Sequence, residues 1–253
     1  MSILELAFLA AAALAAGAVN ALAGGGTLIS FPALTAVGVP ALTANITNTV
    51  ALTPGYVGGT LAQRTDLAGQ RARARAITLP AVLGGLFGAG LLLLAGEDLF
   101  EALVPWLLLV AAVLIGADRW LKRWVTGRIA AHDAAGGGTA PAAIAAFVGS
   151  TYGGFFGAGL GIILLALYAQ VVPESLARIN ALKQLTSFLA NVTAAAFLLF
   201  SGKVVWSAAA VMAVGALAGG VLAGRYVRRA HPSVLRGVVV TIAVAVALVY
   251  LLK

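Results

Sequence analysis

Lys183 stands more than two turns inside the long apolar run 175–200. At helical spacing it shares one stripe of about 100° with Asn180, Gln184, Ser187 and Asn191. Ile179, Leu182, Leu185, Phe188 and Leu189 take the other faces. A polar stripe on a spanning helix must face the bundle interior or water, and a cation at that depth marks a substrate or ion route by default. Arg178, near the start of the run, points away from the stripe; it is a second candidate cation, with a snorkelling position at the interface as its alternative. A further polar set occupies 43–62, with Asn45, Thr47, Asn48, Thr49 and Thr53. Two glycine clusters, Gly24, Gly25 and Gly26, and Gly157 and Gly159, each open a short apolar segment. A helix start offers free N–H groups and about half a positive charge, so it suits an anion. The chemistry these residues point to is the reversible holding of a small anion.

Other chemistries lack their residues. There is no cysteine, so there is no disulfide, thiolate metal site or redox thiol. No Asp or Glu falls in the middle of an apolar run: Glu5, Glu97, Asp98, Glu101 and Glu174 lie near the ends of runs. A carboxylate proton relay and an intramembrane lipid enzyme both need such acids. His132 and His231 lie in hydrophilic loops, where solvated surface is the simpler reading. No metal, cofactor or catalytic residue is expected. The net charge of +8 would suit nucleic acid, but the basic residues sit in short clusters between apolar runs, which is how membrane topology is written.

The elements that must position these groups are spans of a bilayer. Of the 253 residues, 62% are apolar and 9% charged, and mean hydropathy is +1.04, far from a soluble domain. A helix needs ~20 apolar residues to cross ~30 Å of hydrocarbon. Eight segments reach or approach that: 3–23, 43–62, 76–96, 99–117, 140–158, 175–200, 204–224 and 235–252. The first has no basic residue ahead of it, so it reads as a span rather than a signal peptide. Two more, 27–39 and 160–172, cover only about 20 Å each. Each follows a glycine cluster and stops at Val-Pro (Val39-Pro40 and Val172-Pro173), where glycine and proline break helices.

The coincidence is a repeat: 24–62 lies on 157–195 without a gap. Gly24, Gly26, Ile29, Leu34, Val39, Pro40, Ile46, Leu52 and Thr53 meet identical residues at Gly157, Gly159, Ile162, Leu167, Val172, Pro173, Ile179, Leu185 and Thr186. The domain reading is a first membrane repeat over 1–117, a cytoplasmic linker over 118–139 and a second repeat over 140–253. No Lys or Arg precedes Arg64. Arg64, Arg71, Arg73 and Arg75; Arg119, Lys122, Arg123 and Arg128; and Arg225, Arg228, Arg229 and Arg236 form three basic loops, placed in the cytoplasm. Both termini then fall outside, and the halves are inverted in the membrane. Inverted repeats with interrupted helices are the signature of secondary transporters. Many of the 31 glycines serve helix packing instead; Gly84, Gly85, Gly88 and Gly90, and the glycines of 215–220, read that way.

Two stretches, Gly17-Ala-Val-Asn-Ala-Leu-Ala-Gly-Gly-Gly-Thr-Leu-Ile-Ser-Phe-Pro-Ala-Leu and Thr43-Ala-Asn-Ile-Thr-Asn-Thr-Val-Ala-Leu, with a weaker echo over 149–167 and 177–191, resemble the TauE/SafE family of sulfite exporters and anion permeases. The likeness covers essentially the whole chain. It implies a multi-pass protein of the bacterial inner membrane that moves sulfur-containing anions such as sulfite or organosulfonates. It also implies that Gly24, Gly25, Gly26, Asn45 and Asn48 belong to the transport region. The expectation is an all-α polytopic membrane protein of eight full spans and two short or re-entrant helices. It exports a small anion held between two broken helices and the stripe of Arg178, Asn180, Lys183 and Gln184. The partners are a small anion and the lipid bilayer, not nucleic acid. The alternative is a membrane scaffold or assembly subunit whose glycines only pack helices.

Overall fold

The computed structural model describes residues 1–131, 139–226 and 232–252. They form ten helices and no strand: α1 (Ile3–Ala23), α2 (Thr27–Ala36), α3 (Ala41–Ala62), α4 (Arg71–Gly116), α5 (Asp118–Ala131), α6 (Thr139–Phe155), α7 (Leu160–Val171), α8 (Leu176–Leu198), α9 (Trp206–Tyr226) and α10 (Pro232–Leu251). The chain is an all-α polytopic membrane protein. Three helices are long and apolar enough to cross a bilayer, over Ile3–Asn20, Arg71–Gly116 and Leu176–Ser201; shorter apolar helices cover Thr27–Ala36, Leu160–Val171, Trp206–Leu222 and Gly237–Leu251. His132, Arg228, Arg229, His231 and the glycine-rich part of the expected linker lie outside the described residues.

α4 has 46 residues, about 69 Å if straight and twice a bilayer. It is two spans. Gly96, with φ 69° and ψ −174°, leaves the helix between the expected segments 76–96 and 99–117. Ile77 near the start of α4 and Val125 in α5 belong to one core cluster, so the chain doubles back at Gly96. The short helices stop earlier than Val-Pro predicts in one case: α2 ends at Ala36 because Val37 leaves the helical region and Gly38 turns left-handed at φ 83°.

The expected linker is also more structured than its composition suggests. α5 fills most of it, burying Val125 in the cluster that holds Leu164 and Tyr168 of α7 and Ile179 of α8, while Arg119, Trp120 and Arg123 stay exposed. α5 is too polar to span, and its apolar residues are spaced for one face only, as in an interfacial helix.

Glycine-lined seams join the rest. α1 packs along α9, where a side chain at Gly17 would overlap the Ala216 carbonyl and one at Gly219 the Leu14 carbonyl. α6 packs along α4 through Gly84, Gly88 and Gly154 in the same way, while Gly85 makes room for the Ala190 carbonyl of α8. Gly90 departs from the packing expectation, because nothing lies within 4 Å of where its Cβ would be. Gly88→Ala is therefore expected to destabilise by about 1–3 kcal/mol through overpacking against the Thr151 carbonyl. Gly90→Ala is expected to be neutral or to stabilise by roughly 0.5–1 kcal/mol through helix propensity. Thermal melts in detergent check the pair; equal melting points would contradict the seam.

Candidate functional site

Each short helix begins at a built break. At the first, Gly24 adopts φ 73° and its N–H bonds the Asn20 carbonyl at 3.1 Å. The Asn20 side chain then turns back, its Oδ1 accepting the Gly26 N–H at 3.0 Å. Gly25 leaves room for Ile115, and Gly26 for the Ala16 carbonyl. At the second break Gly157 and Gly159 adopt φ 75° and 73°, and the Tyr152 hydroxyl donates to the Ala158 carbonyl at 2.6 Å. The residues that precede α2 and α7, Gly26 and Gly159, have no side chain with which to cap them. The left-handed turns explain the glycines: at those φ values any Cβ is strained.

The two breaks touch. A Cβ on Gly24 would stand 2.8 Å from the Gly161 Cα in the first turn of α7. Gly159 faces Ala111 of α4, where a Cβ would make ordinary contact at 3.7 Å. An aromatic wall closes one side: Phe31 of α2 meets Phe156 edge-on with ring centroids 5.6 Å apart, and meets Phe100 at 6.5 Å. These rings hold the breaks together by apolar burial and quadrupole fit.

Asn45 and Asn48 of α3 lie at this junction, 1% and 2% exposed. The Asn45 Nδ2 donates to the carbonyl of Phe155, the last residue of α6, at 2.9 Å. The Asn48 Nδ2 faces the hydroxyl of Thr27, the first residue of α2, at 3.5 Å. Each amide thus ties α3 to a different break. The oxygen of each is buried and has no hydrogen-bond partner.

The α8 stripe meets α3 further along. Asn180 Nδ2 donates to Gln63 Oε1 at 2.7 Å, Gln184 packs against Gly59, and Asn191 Oδ1 accepts from Thr53 at 2.7 Å. Lys183 is buried among them at 5% exposure and engages groups of the protein. The predicted residues therefore form two groups. Gly24, Gly25, Gly26, Gly157, Gly159, Asn45 and Asn48 gather at the breaks. Asn180, Lys183 and Gln184 gather beside the last turns of α3. Asn48 and Gln63 are about 22 Å apart along the α3 axis.

Arg178 is committed elsewhere. Its guanidinium pairs with Glu174 at 3.1 Å and donates to the Ala68 carbonyl at 3.3 Å. Arg73 takes the other Glu174 oxygen at 2.5 Å. Gln70, 2% exposed, donates to the Arg178 carbonyl at 3.2 Å. These contacts clasp the α3–α4 loop to the start of α8. Sequence reasoning missed Asn20, Thr27, Gln63, Gln70 and the Glu174 clasp. Asn20 and Thr27 had a signal, their place in the stretch that begins Gly17-Ala-Val-Asn and runs through Gly-Gly-Gly-Thr; the rest act through partners far along the chain.

The groups on offer are amides, hydroxyls, an ammonium and backbone, a set that can hold and release a small polar ligand. Among the described residues no three His, Cys, Asp or Glu side chains gather as metal ligands. The family described as sulfite exporter TauE/SafE matches residues 9–250. A probable membrane transporter protein, ORF9, of Sinorhizobium sp is 26% identical over 243 residues, covering 96% of this chain and 91% of its own. Another from Haemophilus influenzae is 26% identical, covering 93% and 90%. The probable membrane transporter YfcA of Escherichia coli K12 is 25% identical, covering 91% and 83%. No solved structure matches the chain. Helices, breaks and end-to-end similarity agree: the chain belongs to the TauE/SafE sulfite exporter family, a family of membrane transporters.

Proposed function

We propose that this transporter exports a small sulfur oxyanion, sulfite or a short organosulfonate, across the bacterial inner membrane, with the anion held where the two broken helices meet. One observation carries the reading: the starts of α2 and α7, neither capped by the glycine that precedes it, are brought into backbone contact, with Gly24 against Gly161. Two positive helix ends converging in a dry place favour an anion. The α8 stripe forms the approach, Lys183 supplying charge and Asn180 and Gln184 supplying amides. Arg178, with Glu174 and Arg73, closes the inner end of that approach.

The halves are an inverted repeat in this reading. The contact pattern supports it, since α1 packs on α9 of the second half and α6 packs on α4 of the first. The test is flux from proteoliposomes. Labelled sulfite and short sulfonates should leave loaded vesicles faster than they leave protein-free ones. Equal rates would remove these substrates and leave the scaffold reading, in which glycines only pack helices.

Both termini lie outside and the three basic loops inside. The absence of native cysteine allows single reporters. Gly69 is a poor site, because its φ of 79° strains any side chain. Thr65 and Gly127 are exposed, and Gly127 has open space around it. Thr65→Cys and Gly127→Cys are expected to resist an impermeant thiol reagent in intact cells, and Ser2→Cys to react. Labelling of either inner site from outside would reverse the topology.

A further inference from the structure

The two buried carboxamides at the junction are only half used. Asn45 and Asn48 stand three residues apart on one face of α3, 1% and 2% exposed. A carbonyl can only accept, so the Phe155 carbonyl fixes the nitrogen of Asn45 towards itself and turns the oxygen away. Asn48 presents its nitrogen to Thr27, and its oxygen is likewise turned away. Both oxygens are buried and unpartnered. Buried acceptors are normally satisfied, and an exception calls for a ligand, an ion, a water or a strain account. The ten residues of α2 begin at Thr27, so the same place offers the positive end of a helix.

An anion that settles here and satisfies both features brings two things together: negative charge for the helix start, and a hydrogen-bond donor for the amide oxygens. A bare metal cation would satisfy the oxygens, but it would lie against the positive end of α2 with no acid in the middle of α1, α2 or α3. We propose that the transported anion carries its own donor, a protonated acid oxygen or a hydroxyl on a short sulfonate, which it gives to Asn45 Oδ1 and Asn48 Oδ1. This selects donor-bearing oxyanions over oxyanions that only accept. It rests on the transporter reading above and deepens it.

The test uses the purified full chain in detergent and two anions of nearly equal shape, 2-hydroxyethanesulfonate and propane-1-sulfonate. Their affinities are measured by calorimetry in sodium-free choline buffer. A site built to bond a hydroxyl strongly rejects the analogue lacking it, so the hydroxylated anion should bind at least about tenfold tighter. In Asn45→Leu and Asn48→Leu the preference should fall towards parity. Should these variants not fold, the ratio in the unaltered protein decides alone. Equal affinities there, or an unchanged ratio in folded variants, would overturn the donor requirement while leaving anion transport standing. Binding that needs sodium and ignores the hydroxyl would assign the oxygens to a cation, and also overturn it. If neither sulfonate binds, the inference fails together with the reading it rests on.

Discussion

Lys183→Ala is expected to weaken capture of a small sulfur oxyanion on the α8 approach by about 2–3 kcal/mol, roughly 30- to 150-fold, the worth of a hydrogen bond to a charged group. The ammonium is buried on the stripe that faces α3, and alanine removes the one cation of that stripe without filling its space. Because Lys183 also engages groups of the protein, affinity and melting temperature have to be measured on the same preparation. Lower affinity with near-normal melting is the expected result. Lys183→Arg should rescue only part, since a guanidinium is wider and presents a planar fork rather than a compact point charge. Reduced melting with unchanged affinity would make the lysine a structural strut and sink its role in binding.

Gly24→Ala is expected to have the largest effect on the fold. A φ of 73° costs a residue with a Cβ about 1–2 kcal/mol. The new carbon would also stand 2.8 Å from the Gly161 Cα, and backbone cannot swing aside. Overpacking of that kind adds about 1–3 kcal/mol. Gly38→Ala is the control: its φ is 83° but nothing lies within 4 Å, so it carries the conformational cost alone. Gly24→Ala should therefore melt well below Gly38→Ala and lose flux. Equal melting of the two would mean that the breaks do not press together.

The glycine triplet at 24–26, the Gly-x-Gly at 157–159 and Val172-Pro173 announce helix ends because they act through backbone sterics, which a sequence displays directly. The long spans follow for a similar reason: apolar length is local. The interior stripe of α8 was legible because Lys183 and Asn191 cannot face lipid. What stayed hidden depends on distant partners. Nothing around Asn45 announces that Phe155 will offer it a carbonyl, and nothing in Glu174 announces Arg73. The charges of α5 read as a loop, and three residues at helical spacing, Leu121, Trp124 and Val125, are too few to mark a helix until α7 is there to cover them. Gly90 shows the opposite failure: composition groups it with its packing neighbours, and geometry separates them.

The α1–α9 seam has a consequence for how the protein is made. Gly17 is shaped for the Ala216 carbonyl, and that partner is synthesised nearly 200 residues later. At roughly 5–20 residues per second, the first helix waits on the order of 10–40 s in the membrane with its small-residue groove unfilled. Such a groove invites any passing helix. The groove of α1 thus stays open until α9 arrives, and a chain stalled before Trp206 keeps it open for good.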